Sequence, residues 1–475
     1  MALKIDAKLI ENVDDPSFDL LNYAITEKMN KWTEYDKLYN YYLGQQLILN
    51  RNFGNPAVND QHVVVNHAKY FTDMITGMMT GNPITYVPQD GNNIDAITEA
   101  LSKMDIAAHD TDLELQLSIY GVGYELVYLK VVEGAKTEEQ IACLDPRYTI
   151  VITDDTEEEN EIYGIYLQPK KTLKGEDNGY LISVYTPDKL IQYRTRMGYQ
   201  LSEGNIDETT EIESYWSEEP ITEFYNNGQQ QGDFEQLIPL IDSYNSLQSD
   251  RITDKDNFID SILLAYGTSV EGNLQKGQML DDLPSDAKIE WLTKALEEND
   301  VQTLSDSIKN DLHEMANVPN MTDKDFAGNI SGEAMKYKLF GLLNLISVKE
   351  QYLNKGLKRR LKLLAHMIGG VKQQAVDITG VRIQLTPNIP VNLTDTITNI
   401  RNADGIIPRQ VTFGWLPEGY DPQKLIEMMD EQNAKQIQQN KDAIGEGDPE
   451  ESTANVNEED QEGYRDSSTN NEDEK

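Results

Sequence analysis

The residues of this chain best placed to do chemistry lie at Thr322–Lys338, TDKDFAGNISGEAMKYK, just before a long run with helical apolar spacing. Glycine-rich loops that open a helix often bind phosphate through backbone N–H groups. That chemistry needs the order GxxxxGK[ST], with lysine directly after the last glycine. Here Glu333 follows Gly332, and its carboxylate would repel phosphate. The loop therefore predicts no phosphate site.

The other candidates for catalysis are equally weak. GVGYE, Gly121–Glu125, lacks the third glycine of a dinucleotide fingerprint. His62 and His67 are five residues apart, which fits neither a helical pair nor a zinc signature, and Cys143 has no second cysteine to join it. No GxSxG elbow occurs, and carboxylates are too numerous for any one pair to be informative. We predict a protein that is not an enzyme and holds no metal or cofactor.

Composition narrows the class of protein further. The 475 residues include 82 acidic and 41 basic side chains, a formal net charge of -41. Tight binding by phosphate neutralisation needs Lys and Arg, so this balance favours nucleic acid that slides past over nucleic acid that is held. The single cysteine, the absence of a signal-like N-terminus and the lack of an 18-residue apolar run predict a soluble cytosolic-type chain.

Coarse patterning divides the chain. Residues 17–52 and 66–81 have helical periodicity, and the spacing of Phe71, Ile75, Met78 and Met79 predicts a core face. Residues 110–236 alternate short β-branched and aromatic runs with Gly, Asn and Asp turns, which predicts strands. The acidic stretch DDTEEENE within them is typical of a solvated loop.

Two long helical runs in the middle of the chain are unusually polar. One is LIDSYNSLQSDRITDKDNFIDSILL, residues 240–264, and the other is LEENDVQTLSDSIKNDLHEMANV, residues 296–318. A helix that is polar on every face bridges domains, lines water or is unstable. A stretch of predicted short strands and turns separates the two runs. This order predicts an antiparallel stalk with a small β knob at its tip.

A third, apolar helical run occupies residues 331–368, with Gly341 and Gly356 as predicted bends. Its last third carries a basic cluster, namely Lys355, Lys358, Arg359, Arg360 and Lys362. We favour the interpretation that this cluster forms a polar face shared between subunits over the interpretation that it contacts DNA. From Asp442 the tail has thirteen acidic and two basic residues, a net charge of 2 - 13 = -11. Such a composition predicts disorder.

The order helix, knob, helix, loop, long helix resembles the portal proteins of tailed bacteriophages, of the type found in long-tailed phages of Gram-positive hosts. The residues that carry the resemblance are YYLGQQLILNR (41–51), VVNHAKYFTDMITGMMTGNPITY (64–86), IPLIDSYNSLQSDRITDKDNF (238–258) and MTDKDFAGNISGEAMKYKLFGL (321–342). The pairing of the last two stretches is the most specific. The region after about residue 400 carries little family signal.

The resemblance implies an α+β, mainly helical portal fold with wing, stem, clip and crown that assembles as a ring. The implied division is a wing at 1–236 (helical, then β-rich), stem helices at 237–265 and 297–318, a clip at 266–296, a tunnel loop at 319–331, a long helix and wing strand region at 332–395, a crown at 396–441 and the disordered tail at 442–475.

The resemblance also implies roles for particular residues. Those expected to face DNA in the channel are Asp323, Lys324, Asp325, Phe326, Asn329, Ser331, Lys336 and Lys338; a solvated helix start is an equally weighted interpretation of the lysines. Those expected in the stem are Asp250, Arg251, Asp254, Lys255 and Asn257. Those expected in the clip, where terminase and the adaptor dock, are Tyr266, Glu271, Lys276, Asp281, Asp282, Glu290 and Trp291.

The implied function is a ring of twelve subunits, or thirteen when isolated, at one capsid vertex, through which DNA is packaged and ejected. The implied partners are double-stranded DNA, the terminase large subunit, a head–tail adaptor, and the major capsid and scaffolding proteins, with no membrane. The implied location is the virion, after assembly in the host cytoplasm. Two alternatives remain open on the sequence: an acidic hydrolase using carboxylates or a metal, and an acidic DNA mimic.

Overall fold

The computed structural model describes residues 2–10, 12–52, 60–89, 92–132, 136–213, 216, 218–259, 262–266, 288–292, 298–321, 332–372, 376–389, 393–416 and 422–445. Within them the fold is α+β and the chain divides into two compact units, Met1–Pro390 and Val391–Lys475. None of the helices in these residues is long and apolar enough to cross a membrane.

The first unit contains eight α-helices among its described residues. They are α1 (Phe18–Tyr42), α2 (His67–Thr80), α3 (Asp95–Lys103), α4 (Ile106–Tyr120), α5 (Ile238–Ile259), α6 (Glu298–Met315), α7 (Gly332–Lys338) and α8 (Phe340–Lys372). Local sequence fixes several ends. Ser17 accepts a hydrogen bond from Leu20 N at the start of α1, and Asn66 accepts one from Lys69 N at the start of α2. Gly121, at φ +76°, ends α4 in a left-handed conformation.

The described strands of the first unit form four sheets. They are β1 (Leu3–Ile5), β2 (Thr85–Val87), β3 (Val122–Val132), β4 (Lys136–Leu144), β5 (Thr149–Asp154), β6 (Glu161–Lys171), β7 (Asp177–Tyr185), β8 (Lys189–Thr195), β9 (Ile206–Glu213), β10 (Ile221–Tyr225), β11 (Ile262–Tyr266), β12 (Lys288–Leu292) and β13 (Arg382–Gln384). The six-stranded sheet has the order β1-β5-β6-β7-β8-β9, with β1 parallel to β5 and the other pairs antiparallel. The remaining sheets are β10-β3-β4, β11-β12 and β13-β2.

The largest hydrophobic core joins the helices to the β10-β3-β4 sheet. The α2 stripe predicted to face a core is buried, with Phe71, Ile75 and Met79 fully enclosed. They pack with residues of α4, α5, α6 and α8, so both polar helices are rooted in this core. A second core lies between the six-stranded sheet and the first half of α1, and a third lies between α3 and the end of α8.

Two helix boundaries differ from the sequence prediction. The first polar helix ends at Ile259 instead of reaching residue 264, because Ile262–Tyr266 pairs as a strand with Lys288–Leu292. Short apolar runs fit a helix or a strand equally well, so pairing decides. The run at 331–368 is two helices, which meet at Leu339, close to the predicted bend at Gly341 and not at Gly356. Gly356 instead gives room to the ring of Phe224, since a Cβ there would lie 2.3 Å from it.

The second unit is helical in its described part. It contains α9 (Leu393–Ala403), α10 (Arg409–Phe413) and α11 (Pro422–Gly445), and α10 packs against both of the others. The predicted tail from residue 442 therefore begins too early, because α11 continues to Gly445. The rest of that tail lies outside the described residues.

Candidate functional site

The polar centre of α5 is hydrogen-bonded to an extended segment of the same chain, residues 61–65. Alternate backbone N–H groups of this segment donate to side chains one helical turn apart. The three bonds, of 3.0, 2.9 and 2.9 Å, are Gln61 N to Thr253 Oγ1, Val63 N to Ser249 Oγ and Val65 N to Asn245 Oδ1. We call Asn245, Ser249 and Thr253 the polar ladder. All three side chains are buried.

The polar ladder can form because the residue spacing along the helix nearly matches that along the extended segment. Four residues of helix rise about 6.0 Å, and two residues of extended chain advance about 6.6 Å. Small polar residues at i, i+4 and i+8 therefore meet every second N–H of the segment. The expectation that a helix polar on every face bridges domains or lines water was wrong for this face of α5, which is buried against residues 61–65. The spacing of four between Asn245, Ser249 and Thr253 was a visible signal that sequence reasoning missed.

Asn245, the first residue of the polar ladder, belongs to a wider hydrogen-bond network. The Asn245 amide donates to Gln46 Oε1, and Gln46 Nε2 donates to Tyr41 O at 3.1 Å and to Asn66 Oδ1 at 3.0 Å. Asn66 also caps α2. The network therefore ties α5 to the end of α1 and the start of α2, and it leaves little room for α5 to shift.

Helix α6 packs beside α5 through a small number of polar contacts. Gln248 Nε2 donates to Ser305 Oγ at 2.7 Å, Arg251 forms an ion pair with Glu298, and Lys255 lies 3.6 Å from the same carboxylate. Within α6, all of whose residues are described, only Ser305 and Leu312 are buried. Leu304 is 51% exposed. Most of the α6 surface is therefore available to solvent or to another chain.

The predicted stem residues are mostly engaged within the chain. Asp250 accepts from Arg51 at 2.7 Å, and Arg51 also binds Asp60 at 2.6 Å, which fastens residues 51 and 60 to α5. Arg251 and Lys255 bridge to α6 as described above. Asp254 and Asn257 lie in the last turns of α5.

Both polar helices meet one aromatic cluster near the other end of the pair. The His67 ring lies 5.0 Å from that of Tyr244 in α5 and 6.1 Å from that of His313 in α6. Phe71 contacts His313 at 5.4 Å between centroids. Burial, together with the charge of His313, lowers the pKa of His67 to about 4, so His67 is neutral in the folded protein at neutral pH.

The predicted clip and loop residues are only partly described. Tyr266 lies in β11, and Glu290 and Trp291 lie in β12, opposite Leu264 and Leu263. The other clip candidates, Glu271, Lys276, Asp281 and Asp282, lie outside the described residues, as do the loop candidates Asp323, Lys324, Asp325, Phe326, Asn329 and Ser331. The placement of these two sets relative to one another therefore stays a prediction.

The start of the long helical region presents an exposed surface. Lys336 and Lys338 are exposed in α7, shortly after residues 322–331 in the chain. Tyr337 and Phe340 are exposed beside them, at 80% and 62%. Neighbouring large apolar side chains in solvent are typical of contact surfaces. This is the described surface nearest in sequence to the predicted channel loop.

The two least exposed arginines of the α8 basic cluster neither lie on a face open to another subunit nor are free to contact DNA. Arg360 is fully buried; its Nε lies 2.9 Å from a Glu125 carboxylate oxygen, and it pairs with Asp110 at 2.7 Å. Arg359 pairs with Glu161 and also donates to Glu219 O at 2.7 Å. These arginines fasten α8 to its own chain.

Electrostatics make the Arg360 contact strong. Burial alone would raise the pKa of Glu125, but Arg360 and a 2.8 Å hydrogen bond with His109 lower it to about 2. Nearer the start of α8, Lys349 is enclosed between Glu114 and Asp233, each 2.6 Å away. Burial alone would lower the pKa of Lys349, but the two carboxylates raise it. Two internal ion clusters thus hold the middle and later part of α8 in the first unit.

The described residues contain no group of three or more His, Cys, Asp or Glu side chains placed to hold a metal ion. Burial raises the pKa of the Cys143 thiol, and the side chain contacts His109, so this cysteine behaves as a packed residue. The described residues of the first unit thus form an internally braced scaffold in which α6 is an exposed polar helix.

Comparison with known proteins identifies the scaffold. The family model described as phage portal protein, SPP1 Gp6-like, matches residues 21–441. The portal protein of Bacillus phage SPP1 is 20% identical over 413 residues, which cover 82% of this chain and 78% of that protein. A solved structure described as the neck of an empty GTA particle, computed with C6 symmetry, has 13% identity, covers 74% of this chain and 90% of its own, and has a TM-score of 0.40. Because the family model spans most of the sequence, this chain belongs to the SPP1 Gp6-like family of phage portal proteins.

Proposed function

We propose that this portal protein forms a ring of twelve subunits, or thirteen when isolated, around a channel for double-stranded DNA. The ring occupies one vertex of the capsid, and DNA enters through it during packaging and leaves through it during ejection. The observation that carries the proposal is α6, a polar helix rooted in the core at Leu312 but exposed along most of its length. A helix of this kind is expected beside other subunits and water.

Helix dimensions support a channel of the right size. Twelve helices about 10 Å apart give a circumference of about 120 Å, hence a bore of about 28 Å after one helix width is subtracted. A DNA duplex is about 20 Å across, as its groove depths indicate. The bore therefore admits one duplex with a layer of water around it.

Charge supports sliding in preference to binding. Helix α6 carries five acidic residues and one lysine, and the chain as a whole has a net charge of -41. An acidic wall repels phosphate, so DNA finds no deep minimum in which to stop. Lys324, Lys336 and Lys338 supply weak, evenly repeated attractions around the ring. Phe326 and Asn329 face the duplex without reading its sequence.

The β11–β12 pair and the residues between its strands form the docking site for other packaging and tail proteins. In this proposal the clip candidates Tyr266, Glu271, Lys276, Asp281, Asp282, Glu290 and Trp291 contact the terminase large subunit and later the head–tail adaptor. The wing contacts the major capsid and scaffolding proteins during assembly in the host cytoplasm. The protein performs no catalysis. No specific observation in the described residues favours the hydrolase or the DNA mimic.

Native mass spectrometry of the purified full chain tests the proposal. The expected mass is twelve times, or thirteen times, the 53.9 kDa of one chain. A chain that stays a monomer or dimer at assembly concentrations would contradict the proposal. Metal-dependent hydrolysis lost with one Asp or Glu substitution would favour the hydrolase, and salt-sensitive capture of basic DNA-binding proteins would favour the mimic.

The channel role has its own test. Shortening residues 323–329 should leave the ring mass unchanged while DNA packaging falls, because the deletion removes the residues proposed to contact the duplex. The matched control shortens the exposed acidic turn at residues 155–159 and should leave packaging intact. Normal packaging by the shortened loop would contradict its place in the channel.

A further inference from the structure

Charge is distributed very unevenly around α11. Its seven charged residues are Lys424, Glu427, Asp430, Glu431, Lys435, Lys441 and Asp442. At 3.6 residues per turn their positions all fall within a sector of about 140°. The remaining sector, about 220° wide, carries no charge over the whole 24 residues. Such complete segregation is unexpected in a chain of which 26% is charged.

We call the uncharged sector the charge-free face. Its positions are Pro422, Leu425, Ile426, Met428, Met429, Gln432, Asn433, Gln436, Ile437, Gln439, Asn440, Ala443 and Ile444. Every residue from Glu427 to Gln439 is exposed, although α10 packs against α11. Met428 is 60% exposed and Ile437 57%. Much of this part of the face is therefore open to another chain.

Three properties of the face indicate what covers it. Depletion of charge and enrichment in methionine are typical of the centres of protein interfaces. A face of about 220° is far wider than the seam of a two-stranded contact, so it suits a helix with neighbours on two sides. The helix itself has three basic and four acidic residues, 3 - 4 = -1, within a chain of net charge -41. Copies of α11 can therefore lie side by side without the repulsion that the rest of the chain would cause.

We infer that the charge-free face of α11 packs against the α11 helices of two neighbouring copies of this chain. The inference rests on the proposed ring and assigns it a second belt of contacts, separate from the stem. A heterologous contact repeated around a closed ring places a different part of one face against each neighbour. It also explains why a helix exposed all the way from Glu427 to Gln439 is formed at all, since helical stability in proteins comes mostly from packing.

The spacing within the face sets the register. Ile426, Met429, Asn433, Ile437, Asn440 and Ile444 follow one another at intervals of 3, 4, 4, 3 and 4 residues. This is an 11-residue repeat, which matches a nearly straight or slightly right-handed packing of helices. Asn433 and Asn440 interrupt an otherwise apolar line, and a polar residue at such a position fixes register at a cost in stability.

Amide hydrogen exchange of the assembled full chain tests the inference. We expect the amides of residues 427–440 to exchange about 100-fold more slowly in the ring than in subunits dissociated from it. Met429→Asp with Ile437→Asp, which places two carboxylates in the face, should remove at least about tenfold of this protection. The matched control is Ala434→Asp, which adds one carboxylate to the charged sector. It is compared with Ile437→Asp alone, which adds one carboxylate to the charge-free face.

The outcomes separate this inference from the proposed function. A ring whose residues 427–440 exchange as fast as in free subunits would overturn the inference and leave the portal ring intact. Equal effects of Ile437→Asp and Ala434→Asp would also overturn it. A chain that forms no ring removes the basis of both. Protection that disappears when residues 446–475 are deleted from an intact ring would identify the tail as the occupant and overturn the second-copy assignment.

Discussion

Helices α5 and α6 have sequences of the same polar character, yet the chain uses their polarity in different ways. The polar ladder of α5 is buried and receives three backbone N–H groups from residues 61–65. The polar surface of α6 is exposed, and its one buried polar side chain, Ser305, bonds to Gln248. The difference shows that a polar helix is not evidence of solvent contact unless its hydrogen-bond partners are known.

The largest effect is expected at Asn245. Asn245→Ala leaves Val65 N–H and the Gln46 amide oxygen buried without their partner, so unfolding free energy should fall by about 2–3 kcal/mol. The urea midpoint at fixed chain concentration measures it. The control, Asn310→Ala, changes an exposed asparagine of α6 and should shift stability by less than about 0.5 kcal/mol. Equal losses of stability in Asn245→Ala and Asn310→Ala would contradict this difference between α5 and α6.

A smaller, pH-dependent effect is expected where α5 and α6 meet the same cluster. The pKa of His67 is lowered to about 4 in the fold, whereas unfolded histidine titrates near 6.5. The unfolded state therefore binds more protons between these values, and stability falls as pH drops from about 6.5 to 4. At pH 5 the loss is about 2 kcal/mol.

Urea midpoints measured from pH 7 to pH 5 test the His67 prediction. His67→Gln should remove most of this slope, because the group that titrates is gone. His366→Gln, which changes an exposed histidine of α8, should keep it. A slope unaffected by His67→Gln would assign the pH dependence to other groups and separate the cluster from the stability of the helix pair.

Substitution of Ser249, the middle residue of the polar ladder, should reduce stability less than substitution of Asn245. Ser249→Ala removes the acceptor of Val63 N–H and the hydroxyl that donates to Asn245 O at 2.7 Å. Because this alanine leaves no side-chain amide without its partner, we expect a loss of about 1 kcal/mol, less than at Asn245. Its counterpart is Thr303→Ala on α6, where the exposed hydroxyl bonds only within its own helix. A loss at Thr303 as large as at Ser249 would count against the ladder.

The smallest change in the unfolding of the single chain is expected on the exposed face of α6. Leu304→Asp should alter monomer stability by less than about 0.5 kcal/mol, because the side chain is half in solvent already. In the proposed ring the same side chain faces a neighbour or the channel, so ring mass in rising urea should fall earlier than for wild type. Unchanged ring stability would mean that this face of α6 meets water alone.

Much of the fold could be predicted from periodicity. The core stripe of α2 and the alternation of strands between residues 110 and 236 appear in the sequence because local spacing determines which face is buried. The end of α5 at Ile259 could not be predicted, because it depends on the pairing of β11 with β12, a strand distant in the sequence. The break at Leu339 was signalled only approximately, by Gly341 just after it.

The roles of charged and polar residues were harder to predict than the elements themselves. The cluster Lys355–Lys362 has the composition of a surface, yet Arg360 is buried against Glu125 and Asp110, carboxylates from a much earlier part of the sequence. Asn245, Ser249 and Thr253 have the spacing of a helix face, but their partners are backbone groups, whose identity no side-chain pattern reveals. The spacing of four in the polar ladder signals a polar helix face, but a single sequence does not show which distant group such a face bonds to.

Electron microscopy of the purified full-length protein in negative stain tests the central claim most directly, namely that α6 stands in a closed ring around water. The account predicts ring-shaped particles with twelve or thirteen repeats and a central hole of about 28 Å. Small solid particles of single chains, with no hole at any protein concentration, would contradict it.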